Sequence, residues 1–184
     1  MSIPEKTLKP CPPIALIGFS GAGKSTVARL LAPALGRPCI DTDDSIEVTS
    51  GMSVPDFFQT SGEAAFRAAE HEALCAALDA QPPAVIACGG GVVELPENAA
   101  LLRERAVVIY LRVETQFALA RIGELHTRPL LSAAGTSEVI SALMTSRMAL
   151  YEALADISVN TNYRDPQEVC DTLIKRLKEA GYEL

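Results

Sequence analysis

The 184-residue sequence predicts a three-layer α/β domain with helices on both faces of a mostly parallel sheet. Two patterns carry that expectation. Short apolar runs at 14–17, 38–41, 84–88, 106–111 and 157–160 alternate with longer segments of helical periodicity. Several of these runs are apolar throughout rather than alternating, as parallel strands covered on both faces require. The length suits one domain over 1–184, with a core from about 12 to 178.

The helical segments carry their own punctuation. Val27, Leu30, Leu31 and Leu35 recur at helix spacing until Gly36. Pro33 lies inside that stretch, where it cannot donate to the carbonyl of Arg29, so a kink or early end is expected there. The last helix has a complete start signal: Asp165 as N-cap, Pro166 in the first helical position and Glu168 in the first turn. The segment 123–137 (GELHTRPLLSAAGTS) fits no element. It reads as a surface loop or, more sharply, as a lid hinged on its glycines.

A net charge of −7 argues against a general binder of nucleic acid or membrane surface, which would carry a broad basic face. Any anionic ligand must be gripped by a few focused cations. The five cysteines (Cys11, Cys39, Cys75, Cys88, Cys170) form no CxxC pair and read mostly as buried small hydrophobes in a reducing compartment. No signal-peptide or membrane-spanning pattern is present, so the expectation is a cytoplasmic protein, monomeric, acting on a small molecule.

Residues 18–25, GFSGAGKS, match G-x-x-x-x-G-K-[ST], with Thr26 next, and they follow a predicted strand and precede a predicted helix. Glycines let backbone amides approach phosphate oxygens, and the helix adds its free N–H groups. Gly21, Ala22, Gly23, Lys24, Ser25 and Thr26 are thus expected to bind a nucleoside triphosphate. Lys24 would reach the β- and γ-phosphates and Ser25 would ligate Mg²⁺.

The second strand ends in Ile40-Asp41-Thr42-Asp43-Asp44. Carboxyl ends of parallel strands face the binding crevice of an open sheet. Strand alternation would point Asp41 and Asp43 one way and Thr42 the other, ahead of a helix beginning near Ser45. Mg²⁺ needs only one or two carboxylates, and another acid can orient or deprotonate an acceptor hydroxyl. The third strand ends in Cys88-Gly89-Gly90-Gly91 with no acid, which passes the metal role to Asp41. The triple glycine suggests a ligand close to the backbone, or simply a tight turn.

Arg67, in GEAAFR at 62–67, opens a helix with Glu63 and Glu70 a turn to either side. It reads as a surface pair with Glu63 or as a bidentate anion contact. Arg147 sits on a helix whose other residues look core-facing, with the same two readings. His71 reads as a helix-surface residue, and His126 has no assignable role.

The ordered set GFSGAGKST, DTD at 41–43, GEAAFR, GGG at 89–91, RPLL at 128–131 and Arg147 with its following Leu-Tyr resembles the shikimate kinase family over roughly 14–174. The resemblance implies a five-stranded parallel sheet in the order 2-3-1-4-5, similar to nucleoside monophosphate kinases, with a substrate-binding region about 41–70. It implies ATP and Mg²⁺, with Lys24 on the phosphates and Ser25 on the metal, Asp41 helping through water. Asp43 would hold the shikimate hydroxyl and is the family's usual candidate base. Arg67, Arg147 and the Gly89, Gly90 and Gly91 backbone would bind the shikimate carboxylate and hydroxyls, with Phe58 against the ring. Arg128 would come from the lid to the transferring phosphate. Arg121, Arg164 and Pro166 match the adenine side. Departures are small: Pro33, Cys88 and the lid tip at 132–137.

The implied activity is transfer of the γ-phosphoryl of ATP to the 3-hydroxyl of shikimate. The alternatives are a kinase for another small hydroxylated substrate, such as gluconate or a nucleoside monophosphate, and a nucleotide-binding regulatory protein that no longer catalyses.

Overall fold

A computed structural model of the chain describes residues 9–122 and 137–184. Five strands make its central sheet: β1 (Ile14–Ile17), β2 (Cys39–Asp41), β3 (Val85–Ala87), β4 (Val107–Arg112) and β5 (Ile157–Asn160). Their order is β2-β3-β1-β4-β5 and every pairing is parallel, as the resemblance implied. Burial explains the composition of each strand. β1 and β3 are buried at every residue, and β4 at all but Arg112, because helices cover both faces. β5, at the sheet edge, alternates buried and exposed residues. A second, two-stranded parallel pair joins Lys9–Pro10 to Tyr182–Glu183, which the residue pattern did not announce.

The helices are α1 (Lys24–Ala34), α2 (Thr42–Ser50), α3 (Val54–Leu78), α4 (Pro96–Arg105), α5 (Thr115–Ile122), α6 (Ser137–Leu154) and α7 (Pro166–Glu179). α1 packs on α7 and the sheet, while α4 packs on β4, α3 and α6. The core between these layers holds Leu16, Leu31, Leu74, Ile86, Leu102, Ile109 and Leu173, all without solvent exposure.

Two expected helix ends are found with their causes. α1 stops at Ala34, one residue past Pro33. Its last turn closes through Arg37 N–H to Ala32 C=O and Gly36 N–H to Pro33 C=O, the paired bonds of a Schellman motif. α7 starts with a full capping box, Asp165 accepting from Gln167 N–H while Glu168 accepts from Asp165 N–H.

Two expectations need correction. β2 ends at Asp41, as the run at 38–41 predicts, but α2 begins at Thr42 rather than near Ser45, so strand alternation does not extend to Thr42 and Asp43. Asp41 is the N-cap, its side chain accepting from Asp43 N–H, and capping overrides strand alternation there. The sequence pattern also has the other residues of the Arg147 helix facing the core. Arg147 is itself buried, whereas Met148 and Leu150 beside it are exposed.

α3 is broken at Gly62, where φ 78° and ψ 173° leave the helical region. A side chain would strain that backbone, so glycine sets the bend. The second half of α3, past this bend, carries Arg67 and Glu70, whose side chains lie against Gly91 and Gly89 just after β3.

Candidate active site

The turn after β1 leads directly into α1, with Gly23 as N-cap in the left-handed region. Lys24 Nζ donates to the carbonyls of Gly18 (2.9 Å) and Phe19 (3.1 Å), folding back over the loop it belongs to. Ser25 Oγ donates to Asp41 Oδ2 at 2.6 Å, and Asp41 Oδ1 accepts from Asp43 N–H at 3.0 Å. One carboxylate thus ties the first turn of α1 to the start of α2.

A cavity of about 490 Å³ opens over this loop. Gly21, Ala22, Gly23, Lys24, Ser25 and Thr26 line it, and so do Arg121, Arg164, Pro166, Asp41 and Asp43. Every described residue expected on the nucleotide side is therefore gathered around one space. Arg128, His126 and the lid expectation at 123–137 lie outside the described residues, apart from Ser137, which begins α6.

Arg121 is more tightly held than its expected role suggested. Its Nη2 donates to the carbonyls of Thr161 (2.6 Å) and Asn162 (2.8 Å), and its Nη1 reaches Gly21 C=O at 3.4 Å. It braces the phosphate loop against the turn after β5. Asn162 is locked in turn by Glu114, donating to the Glu114 carboxylate at 2.6 Å and accepting from Glu114 N–H at 2.9 Å. Thr161 and Asn162 are buried polar residues that the sequence reading missed. Cys88 also lines the cavity, but burial pushes its thiol pKa far up, so it stays a neutral wall residue.

Beside this cavity lies a second cluster, built on the Gly89-Gly90-Gly91 turn. Arg67 and Arg147 are both buried here, 9% and 5% exposed, although they come from different helices. Arg67 Nη1 donates to Glu70 at 2.7 Å and its Nη2 to Glu94 Oε2 at 2.7 Å. Arg147 Nη2 donates to the same Glu94 oxygen at 2.6 Å. The Glu63 pair expected at i,i+4 is present but longer, at 3.6 Å. The surface-pair reading of Arg67 is therefore the lesser part of its bonding. Burial raises the Glu70 pKa, and Arg67 pulls it back only in part.

The glycine turn is held from both sides. Gly89 N–H donates to Thr42 Oγ1 at 2.9 Å, and Tyr151 Oη donates to Gly90 C=O. A Cβ on Gly91 would collide with the Arg67 guanidinium, and one on Gly89 would meet Glu70 and, at 3.0 Å, Asp43 Oδ1. The turn is glycine because charged side chains approach its backbone directly. Asp43 thus stands between the phosphate loop and this turn. Phe58 packs tilted against Phe66, ring centres 5.7 Å apart, and the Phe66 ring lies 5.8 Å under the Arg67 guanidinium.

Sequence reasoning missed Glu94, Thr42 and the hydroxyl of Tyr151. Glu94 follows GGG by only three residues, which was its one visible signal. His71, expected on the surface, is partly buried and bonded at 2.6 Å to fully buried Asn98 on α4. The face-to-face packing of α3 and α4 buries it, which single-helix periodicity does not show.

A parallel sheet in this order, with a phosphate loop after its central strand and acids where the next strand ends, defines a P-loop kinase. The family model that matches, over residues 20–178, is that of shikimate kinase, and the chain belongs to that family. Relatives named shikimate kinase include those of Thermobifida fusca, 41% identical over 92% of this chain and 97% of that protein, and Dehalococcoides mccartyi, 37% identical over 90% and 93%. The solved structure of shikimate kinase from Acinetobacter baumannii in complex with shikimate is 31% identical, with a TM-score of 0.89 over 94% of this chain and 96% of that one. A gluconokinase from Sinorhizobium meliloti, 18% identical with a TM-score of 0.51, shares the fold alone.

Proposed function

We propose that this protein transfers the γ-phosphoryl group of ATP to the 3-hydroxyl of shikimate. The observation that carries the substrate side is the convergence of two buried arginines, Arg67 and Arg147, beside the glycine turn. Two guanidinium groups from different helices converge where a small carboxylate could bridge them, and their planar donor forks suit that geometry.

The roles follow from position. The phosphate loop and Lys24 take the triphosphate, with Lys24 exchanging its carbonyl partners for phosphate oxygens. Arg121, Arg164 and Pro166 line the same cavity, and the adenine would lie against them. Asp43, between loop and glycine turn, orients the acceptor hydroxyl and takes up its proton. Arg67, Arg147 and the backbone of Gly89, Gly90 and Gly91 hold the acid, with Phe58 against the ring. Arg128 completes the charge on the transferring group.

The residues present fit Mg²⁺. Ser25 Oγ and Asp41 Oδ2 offer hard oxygen donors 2.6 Å apart at the mouth of the loop. Among the described residues no group of three His, Cys, Asp or Glu could cage an ion. That suits a cation completing its shell with phosphate oxygens and water. Bound there, Mg²⁺ would neutralise charge on the β- and γ-phosphates. Catalysis then rests on positioning and charge rather than covalent help from the protein.

Among the described residues no helix is long and apolar enough to cross a membrane. The reading carries with it a monomer working in the cytoplasm. A coupled ADP-release assay across shikimate, gluconate and nucleoside monophosphates tests it. ADP release with shikimate alone is expected, and none with shikimate would overturn the assignment.

A further inference from the structure

Resting on that reading of the acid seat, we infer that Glu94 is a built-in competitor of the substrate carboxylate. A single oxygen, Glu94 Oε2, accepts from Arg67 Nη2 at 2.7 Å and Arg147 Nη2 at 2.6 Å. That is the bridging position a ligand carboxylate would take between two guanidinium groups.

Three further observations say that Glu94 is a tenant rather than a fixed part of the seat. It ends the short 3-10 turn Val92–Glu94 directly after the glycines, and its side chain is 32% exposed, against 1% for Glu70. Glu70 is the permanent partner, buried and bonded to the other Arg67 nitrogen. The buried Nε of Arg147 has no hydrogen-bond partner among the described residues, so the seat keeps donor capacity that one Glu94 oxygen does not use.

Charge requires an exchange rather than an addition. Two guanidinium groups already face Glu70 and Glu94, with Glu63 at 3.6 Å from Arg67. A further carboxylate entering beside both would find no net positive charge. The substrate therefore displaces Glu94, which swings out toward solvent. Tethered a few residues away, Glu94 competes at high effective concentration. Substrate affinity is lowered by the fraction of time the seat is held, about tenfold if Glu94 holds it for nine-tenths of the time.

The test compares wild type with Glu94→Gln and Glu94→Ala. Steady-state kinetics should show the KM for shikimate falling about 3- to 10-fold, with the KM for ATP as internal reference. An unchanged or raised shikimate KM in both variants would overturn the inference, a rise meaning that Glu94 instead positions the arginines. Phenylglyoxal labelling of Arg67 and Arg147, read by mass spectrometry without nucleotide or acid, gives a second measure independent of turnover. Faster labelling in Glu94→Ala supports a seat opened by loss of its tenant, and equal rates count against it. Absence of ADP release by wild type with shikimate would instead sink the functional reading, leaving the labelling to judge Glu94. Glu94→Gln keeps the side-chain volume, so it serves if Glu94→Ala folds poorly.

Discussion

Ser25 Oγ donates to Asp41 Oδ2 at 2.6 Å, so the first helical turn after the phosphate loop is bonded to the N-cap of the next helix. The pair has two separable jobs. Asp41 caps α2 through Oδ1 and meets Ser25 through Oδ2. Ser25→Ala should leave the cap intact and change thermal stability little, yet raise the Mg²⁺ concentration needed for half-maximal ADP release. Asp41→Ala should do both, costing about 0.5–2 kcal/mol for the lost cap. Equal Mg²⁺ requirements in wild type and Ser25→Ala would remove Ser25 from the metal role.

This pair also marks how far residue patterns reached. Strand positions were legible because β1, β3 and β4 are buried on both faces and must be apolar. The phosphate loop was legible because its chemistry demands a fixed local spacing. Asp41 and Asp43 line the cavity over that loop, as the carboxyl end of a parallel strand implies, but the directions given them by strand alternation fail because a helix begins at Thr42. Glu94 and Thr161 stayed invisible because their partners lie far along the chain, Arg147 and Arg121 respectively. Local periodicity carries no signal for such contacts.

Arg67 is both a proposed ligand for the acid and the counter-ion of buried Glu70. Arg67→Ala should weaken shikimate binding by about 2–5 kcal/mol. It should also destabilise the fold by about 3–5 kcal/mol near neutral pH, since it strands a buried carboxylate. The pH dependence has a defined sign. Burial raises the Glu70 pKa above its ordinary 4.5, and Arg67 opposes the rise. A raised carboxyl pKa gives stability that is full below the unfolded value and is lost as pH rises through the folded one. Without Arg67 the folded pKa rises further. The stability gap between wild type and Arg67→Ala should therefore widen as pH rises above the ordinary carboxyl value, measured by urea denaturation. Adding Glu70→Gln to the variant should flatten that trend, and a gap independent of pH would reject the pairing.

Asp165 links a local cap to the proposed nucleotide cavity. It closes the capping box of α7, and Pro166 and Val169 from that helix's first turns line the cavity. Asp165→Ala should cost about 0.5–2 kcal/mol in stability. It should raise the KM for ATP while sparing the KM for shikimate, whose proposed seat is built on α3, α6 and the glycine turn. A selective rise in the shikimate KM would contradict this division of the site.

Gly91 offers the sharpest steric test of the acid seat. Its backbone has φ −96°, which any residue adopts, so the glycine is not there to relieve strain. A Cβ at this position would overlap both terminal nitrogens of Arg67. Gly91→Ala should therefore push the guanidinium aside with little effect on backbone geometry. Arg67 cannot retreat freely, because Glu70 and Glu94 hold its two nitrogens from different elements. The expected result is a shikimate KM raised at least about tenfold, equivalent to the loss of one charge-assisted hydrogen bond, with ATP binding by calorimetry unchanged. The phosphate loop packs on the neighbouring Gly90, but the hydrogen bonds of Arg67 go to Glu70 and Glu94 and none to that loop. An unaltered shikimate KM in a folded Gly91→Ala protein would mean that the acid binds without Arg67, and the two-arginine seat would have to be abandoned.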